Sequence, residues 1–377
     1  MTVADDQLRV ALDGTPLLGA RTGIGEVVAG LTSELGTRPD LEVVAYGLTW
    51  RGRNQLDAAV PPRVRAATAR VPARLVRAGW MRFDRPRVEH WTGPVDVVHA
   101  TNYVAPPSRA PIVLSVYDLT FVRFPELCTD DVLQYPTLIR RALARGAIVH
   151  TTSDFVADEV REAFALAPEQ VARVYPGVPM VAAGDADQGH RLAGADRYVL
   201  AIGTIEPRKS FPVLVEAFDH VAATDPHVHL VVAGGDGWGG DAFRDACARA
   251  SHRSRIHAVG YVPASARRDL LAGATVFAYP SRYEGFGFPP LEAMAAGIPV
   301  VAARAGAIPE VSGDAALLVE PDDADALAEG LLRALDDTEL RRDRVACGHA
   351  RVGRFSWTAM ADEMVALYRS LRDGARR

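Results

Sequence analysis

A protein of two doubly wound α/β domains facing a central cleft is predicted by three features of the chain. Short β-branched runs alternate with Ala-, Leu- and Arg-rich helical stretches along nearly the whole sequence. That rhythm implies parallel sheets with helices on both faces. The 377 residues exceed what one ordinary core holds. The rhythm pauses over 181–195, where Gly, Ala and Asp dominate, and this segment reads as an interdomain linker.

The first half opens with a strand over Leu8–Asp13 and a helix over Gly25–Leu35. Further strands read at Val43–Leu48, Val95–Ala100, Ile112–Tyr117 and Ala147–Thr152, each a short apolar run. Asp154–Phe164 reads as a helix with Ser153 or Asp154 as its N-cap. In the second half the strands are Tyr198–Gly203, His229–Ala233, Arg255–Gly260, Val276–Tyr279, Val300–Ala303 and Ala316–Val319. Helices fill the gaps at Pro212–Ala223, Asp241–Ala250, Ala264–Ala272, Pro290–Ala296 and Asp323–Leu335, and a last helix reads near Trp357–Leu371. The expected domains are 1–185 and 186–355, followed by a closing helix over 356–377.

Bulk composition excludes several classes. A net charge of -5 gives no global field toward nucleic acid, so no nucleic-acid partner is expected. Cys128, Cys247 and Cys347 are scattered and odd in number, which indicates neither a disulfide framework nor a zinc site. The histidines, His150 and His257 among them, are dispersed and read as packed or surface residues. No metal cluster is read from the sequence and no cofactor is expected. The polar stretch Met1–Asp6 has no apolar core of a leader, and no run approaches the roughly 18 apolar residues of a membrane span. A cytoplasmic protein is therefore expected. One stretch is locally basic: Arg63, Arg65, Arg70, Arg74, Arg77, Arg82, Arg85 and Arg87, with Trp80, Met81 and Phe83 between them. It is the candidate for peripheral contact with an anionic membrane or acceptor, against the plainer reading of a solvated Arg-rich surface.

The densest chemical signal is Tyr279–Gly297, YPSRYEGFGFPPLEAMAAG. A buried strand ends at Tyr279, and Gly285 and Gly287 allow a tight turn with close backbone approach to a ligand. Pro289 and Pro290 suit a first helical turn, and Gly297 suits the position after the helix. Such a turn aims a helix N-terminus at an anion; the dipole supplies roughly 0.3–1 kcal/mol and each hydrogen bond to a charged phosphate ~1.5–3 kcal/mol. Glu284 and Glu292 flank the turn, and ionised carboxylates accept from pairs of sugar hydroxyls. Taken alone, Glu292 would be an ordinary helix-start residue; the glycines, the second acid and the prolines make the segment read as a nucleotide-sugar site.

The Glu284-x7-Glu292 spacing resembles the signature of glycosyltransferase family 4, retaining enzymes of the GT-B fold with two Rossmann-like domains. Gly203–Phe218 (GTIEPRKSFPVLVEAF) resembles the donor-phosphate segment of that family, and Gly306–Glu310 and Ala316–Pro321 continue the likeness. In the first half, Gly23-Ile-Gly25 and Asp118–Glu126 are similar to the bacterial mannosyltransferase-like branch. The resemblance implies that Arg208 and Lys209 neutralise the donor pyrophosphate and that Glu284 contacts hydroxyls of the transferred sugar. It implies further that the backbone of Gly285, Phe286 and Gly287, with Leu291, holds the donor, and that Glu292 binds the ribose. Gly23 and Gly25 would let the first-domain backbone approach the phosphate, and Tyr117 and Asp118 would lie near the sugar. Two positions depart from the pattern. Tyr117 stands where the family often has His, and Glu26 where the branch often has Arg.

The implied activity is transfer of a hexosyl group, mannose from GDP-mannose first, to a glycan, lipid-linked or small-molecule acceptor, without a metal. A UDP-sugar donor and a non-catalytic nucleotide-sugar-binding protein are the alternatives. Gly235–Gly240 fits G-x-G-x-x-G between a strand and a helix, but the acid that a dinucleotide site needs at the next strand end is missing at Ala258–Tyr261. A glycosidase would need its two acids on opposite sides of a sugar bond, whereas Glu284 and Glu292 share one loop and helix.

Overall fold

The computed structural model describes residues 7–19, 23–49, 53–69, 73–179 and 183–375. The chain forms two compact units. The first runs to Gly177 and takes up the chain again from Phe355, and the second is Val178–Arg354.

In the first unit, β1 (Leu8–Asp13), β2 (Leu41–Leu48), β3 (Arg65–Ala69), β4 (Val97–Ala100), β5 (Ile112–Ser115), β6 (Ile148–Thr151) and β7 (Val171–Arg173) form one sheet in the order β3-β2-β1-β4-β5-β6-β7. Every pairing is parallel. In the central strands both faces are covered, so apolar residues run without alternation: β4 and β5 are buried along their whole length. The edge strands β3 and β7 escape the sequence pattern for the opposite reason. RAATA and VAR are short and partly polar, as an edge tolerates.

In the second unit, β8 (Tyr198–Ile202), β9 (His229–Ala233), β10 (Ile256–Gly260), β11 (Val276–Tyr279), β12 (Val300–Ala303) and β13 (Ala316–Val319) form an all-parallel sheet in the order β10-β9-β8-β11-β12-β13. The strand order reverses between β1 and β4 in the first sheet and between β8 and β11 in the second. At such a switch point the connecting helices leave to opposite faces and open a crevice at the carboxyl ends of the strands.

The segment read as a linker is instead the helix Ala186–Ala193, capped by the Asp185 side chain accepting from the Gln188 N–H. Val181 lies outside the described residues. The small residues here serve contact. A Cβ on Gly184 would fall 2.2 Å from the carbonyl oxygen of Arg268, and one on Gly189 2.0 Å from that of Asp269. The helix therefore lies directly on Ala264–Gly273, and a close helix pair has the composition of a linker.

The helix Trp357–Ala375 packs on the first unit. A Cβ at Gly30 or at Gly177 would meet the Trp357 ring at 2.4 Å, so both glycines make room for that indole. Arg38 pairs with Asp362 at 2.6 Å, and Arg369 with Asp40.

The Arg-rich stretch folds as β3 and the helix Ala73–Arg82; Arg70 and the Arg74 side chain lie outside the described residues. Trp80 is buried with Val76, Val104 and Leu138, its indole N–H donating to Pro86 O at 3.0 Å, so it presents nothing to a membrane. Phe83 is 66% exposed. Among the described residues no helix is long and apolar enough to cross a membrane.

Candidate active site

The carboxyl ends of β8 and β11, at the switch point of the second sheet, carry the candidate chemistry. Strand β8 ends at Ile202, and the chain passes through Gly203–Glu206 into a tight turn, Pro207–Lys209, before the helix Phe211–Thr224. Strand β11 ends at Tyr279 and leads through Glu284 to Gly287 and the helix Phe288–Ala295.

These loops bring three sequence-predicted residues into direct contact. Glu284 Oε1 lies 2.6 Å from Lys209 Nζ, and its Oε2 lies 2.8 Å from Arg208 Nη1. Arg208 also donates to Glu206 at 2.6 Å and to the Tyr283 carbonyl at 2.7 Å. Lys209 donates to Tyr279 Oη at 2.9 Å, its ammonium 4.9 Å from the centre of that ring. Lys209 and Glu284 are buried, at 8% and 7% exposure. Burial alone would push the Glu284 carboxyl up. Lys209 and Arg208 beside it, with the hydrogen bond from Lys209, outweigh that and hold it at about 2. Burial, and then Glu284, push the Tyr279 phenol well up, so it stays neutral.

Neighbouring loops brace this cluster in strand order. On the β9 side, Gly239 N–H donates to Ile205 O at 3.1 Å and Ile205 N–H to Gly235 O at 3.0 Å. A Cβ on Gly237 would fall 2.7 Å from Ile205 O, and one on Gly239 2.8 Å from the Glu206 carbonyl carbon. Gly237 of the run that imitates a dinucleotide fingerprint, with Gly239 beside it and the Gly235 carbonyl, thus backs the segment that leads into Arg208 and Lys209. Between β8 and β11, Arg282 N–H donates to Arg208 O at 2.9 Å. On the β12 side, Ala307 N–H donates to Glu284 O at 2.8 Å, and a Cβ on Gly306 would fall 2.4 Å from that oxygen. Ser210 and Asp322 both hold left-handed backbone, and Ser210 Oγ donates to Asp322 Oδ1 at 2.8 Å. Such conformations persist only where the surroundings over-determine them.

The remaining second-unit candidates follow the same loop. Gly287 has φ +97 and caps the helix Phe288–Ala295, which carries Pro at its first turn. Gly285 and Phe286 precede it, Phe286 buried with its ring 5.0 Å from that of Phe288. Leu291 is wholly buried. Glu292, in that helix, is ion-paired through Oε2 with Arg267.

In the first unit, Gly23 and Gly25 begin the helix Gly23–Gly36 after β1, Gly23 exposed and Gly25 buried. Tyr117 and Asp118 follow β5 on the same carboxyl edge. Asp118 Oδ1 accepts from the Thr120 N–H at 3.1 Å, and the Asp118 N–H donates to Tyr103 Oη at 3.1 Å. Burial pushes the Tyr117 phenol up, against a hydrogen bond with Ser115, so it remains neutral.

Beneath Tyr117 runs a buried polar chain that the sequence did not reveal. His99 Nδ1 meets Tyr368 Oη at 2.6 Å, and His99 Nε2 meets Ser115 Oγ at 2.8 Å. Ser115 Oγ meets His150 Nδ1 at 2.8 Å. Burial lowers both histidines, His150 to about 4. Both are packed residues, as read; their shared partner Ser115 could not be foreseen. Two further site residues were missed. Glu206 has a visible signal, an acid two positions before Arg208, and Arg267 has a subtler one, a cation in a first helical turn.

Residues 184–349 match the family model described as glycosyl transferases group 1. The chain is 31% identical over 284 residues to O-antigen chain mannosyltransferase B of Escherichia coli, covering 73% of this chain and 74% of that protein. It is 31% identical over 314 residues to D-inositol 3-phosphate glycosyltransferase of Mycolicibacterium paratuberculosis, covering 76% and 69%. Among solved structures it is similar to sucrose-phosphate synthase of Thermosynechococcus elongatus, with TM-score 0.76, 20% identity and coverage of 98% and 100%. It is also similar to WaaG, a glycosyltransferase involved in lipopolysaccharide biosynthesis, with TM-score 0.71, 17% identity and coverage of 96% and 99%. These structural likenesses establish the GT-B architecture.

Proposed function

The chain belongs to the group 1 glycosyltransferases, and from that premise we propose that it transfers a mannosyl group from GDP-mannose to a glycan or lipid-linked acceptor with retention of anomeric configuration. The observation that carries this is the meeting of Arg208, Lys209 and Glu284 at the switch point of the second sheet. Two fixed cations in a desolvated crevice supply the charge that a departing diphosphate needs, the role a metal ion fills elsewhere. Their own carboxylate partner is held ionised, and so accepts from sugar hydroxyls. The bond from C1 to the diphosphate oxygen breaks as the acceptor oxygen bonds to C1 on the same face. The acceptor proton passes to the leaving diphosphate, so no protein nucleophile is required. Glu292 takes the ribose hydroxyls, the backbone at Gly285–Gly287 holds the donor, and Leu291 packs beneath it. In the first unit, Gly23 and Gly25 begin the helix after β1, and Tyr117, a neutral donor, follows β5 with Asp118; these are the first-unit positions to which the family likeness assigns donor contacts.

The mannosyl choice follows the O-antigen relative. The equally identical D-inositol 3-phosphate glycosyltransferase supports a second reading, a small phosphorylated polyol as acceptor. Exposed Phe83, between the exposed Arg82 and Arg85, supports peripheral contact with an anionic membrane on the cytoplasmic side. The test is a panel of GDP, UDP and ADP with their sugar conjugates, read by thermal stabilisation and by transfer to lipid-linked and soluble acceptors. Selective stabilisation by GDP with mannosyl transfer supports the proposal. Selective response to UDP moves the donor assignment, and binding without turnover on any acceptor favours a sugar-nucleotide-binding protein.

A further inference from the structure

Arg267 is the fourth residue of the helix Ala264–Gly273, within its first turn. A cation there opposes the helix dipole, which favours acids at that end. The first turn holds no acid in compensation. The Arg267 Nε is buried with no hydrogen-bond partner, a second cost that needs a reason. Its guanidinium reaches across to Glu292 Oε2 on the helix Phe288–Ala295, while the Arg267 side chain keeps 32% of its surface exposed.

We infer that Arg267 is the positioning residue of the ribose subsite, holding the Glu292 carboxylate oriented so that the site selects a donor with ribose hydroxyls. The inference rests on the transferase reading above. Glu292 is only 8% exposed, so the direction of its carboxylate is set by what it packs against and pairs with. Local rules broken together at one side chain, with the partner a candidate ligand residue, mark a functional placement.

The test is isothermal titration of the whole protein with GDP and UDP and with their 2′,3′-dideoxy forms, on wild type, R267Q and R267K. Wild type is expected to prefer the ribose form by roughly tenfold or more, the worth of hydrogen bonds to a charged acceptor. R267Q is expected to bring the two forms to within about threefold, with the dideoxy affinity unchanged because Arg208 and Lys209 still hold the diphosphate. R267K is expected to recover part of the preference, since it restores charge without the planar fork. Retention of the dideoxy affinity also reports that the variant is folded. An unchanged ratio in R267Q overturns the inference, as does an equal weakening of both forms or tighter binding of the ribose form. No binding of either diphosphate by wild type overturns the transferase reading itself, a result distinct from all of these.

Discussion

Lys209 Nζ and Glu284 Oε1, separated by 75 positions in the chain, meet at 2.6 Å in a buried site. Neither charge is tolerable there alone. Desolvating an ion costs several kcal/mol, and the pair with Arg208 offsets that cost only while all members remain.

Removing Lys209 should therefore act on both chemistry and stability. Lys209→Gln is expected to lower kcat/KM by about 10²–10³, the usual worth of one donor aimed at developing charge. It should also reduce unfolding free energy by about 3–5 kcal/mol, because Glu284 keeps a charge that has lost a partner. Steady-state kinetics and urea unfolding on the same preparation separate the two effects; full activity would remove Lys209 from the mechanism.

Acid should unfold the protein in two windows. His150 is held at about 4, chiefly by burial, whereas an unfolded histidine titrates near 6.5. Between those values the unfolded chain binds the extra proton, so this stability is full above 6.5 and is lost as pH falls toward 4, roughly 3 kcal/mol in all. Glu284 is held at about 2 against an unfolded 4.5, so its contribution is present above 4.5 and is lost as pH falls toward 2. Urea midpoints measured across pH should show His150→Gln flattening the upper window and Glu284→Gln the lower. A profile unchanged by either substitution contradicts the assignment.

Cutting the polar chain at Tyr368 should loosen the closing helix. Tyr368→Phe leaves His99 Nδ1 buried without its partner, which is expected to cost about 1–3 kcal/mol. Amide exchange should rise along Trp357–Ala375 more than in the second unit. Uniform protection in the variant would show that the bond carries no such load.

Gly287 combines a left-handed backbone, φ +97, with a neighbour that leaves no room: a Cβ would fall 2.5 Å from Ile308 Cδ1. Gly287→Ala is expected to destabilise by more than about 1 kcal/mol. Adding Ile308→Val removes the offending methyl and should recover part of the loss, leaving the backbone strain. A double-mutant cycle reads the coupling, and strict additivity would show that sterics play no part.

Much of the architecture was legible because buried parallel strands are short, apolar runs. Val276–Tyr279 and Val300–Ala303 read at their observed bounds. The edge strands β3 and β7 were not legible, since half-exposed edges lack that run. Ala186–Ala193 was misread because Gly and Ala serve close helix contact as well as linkers. At the site, Glu284 and Glu292 stood out through the glycines and prolines around them. Arg267 did not, because its meaning depends on a partner one crossover away. The histidine chain was hidden for a similar reason, His99 and Tyr368 being 269 positions apart.

Trp357 fills the space left by Gly30 and Gly177, and the helix it begins is tied to Arg38 and Asp40. The first unit therefore needs residues from both sides of the second. On the ribosome, Val178–Arg354 is a contiguous stretch and can close as soon as it emerges. The earlier-made unit must wait with an indole-sized vacancy between two glycines until the segment from Phe355 arrives. The order of synthesis and the order of completion are reversed, and a ribosome stalled before Phe355 would present a finished second unit beside an unfinished first.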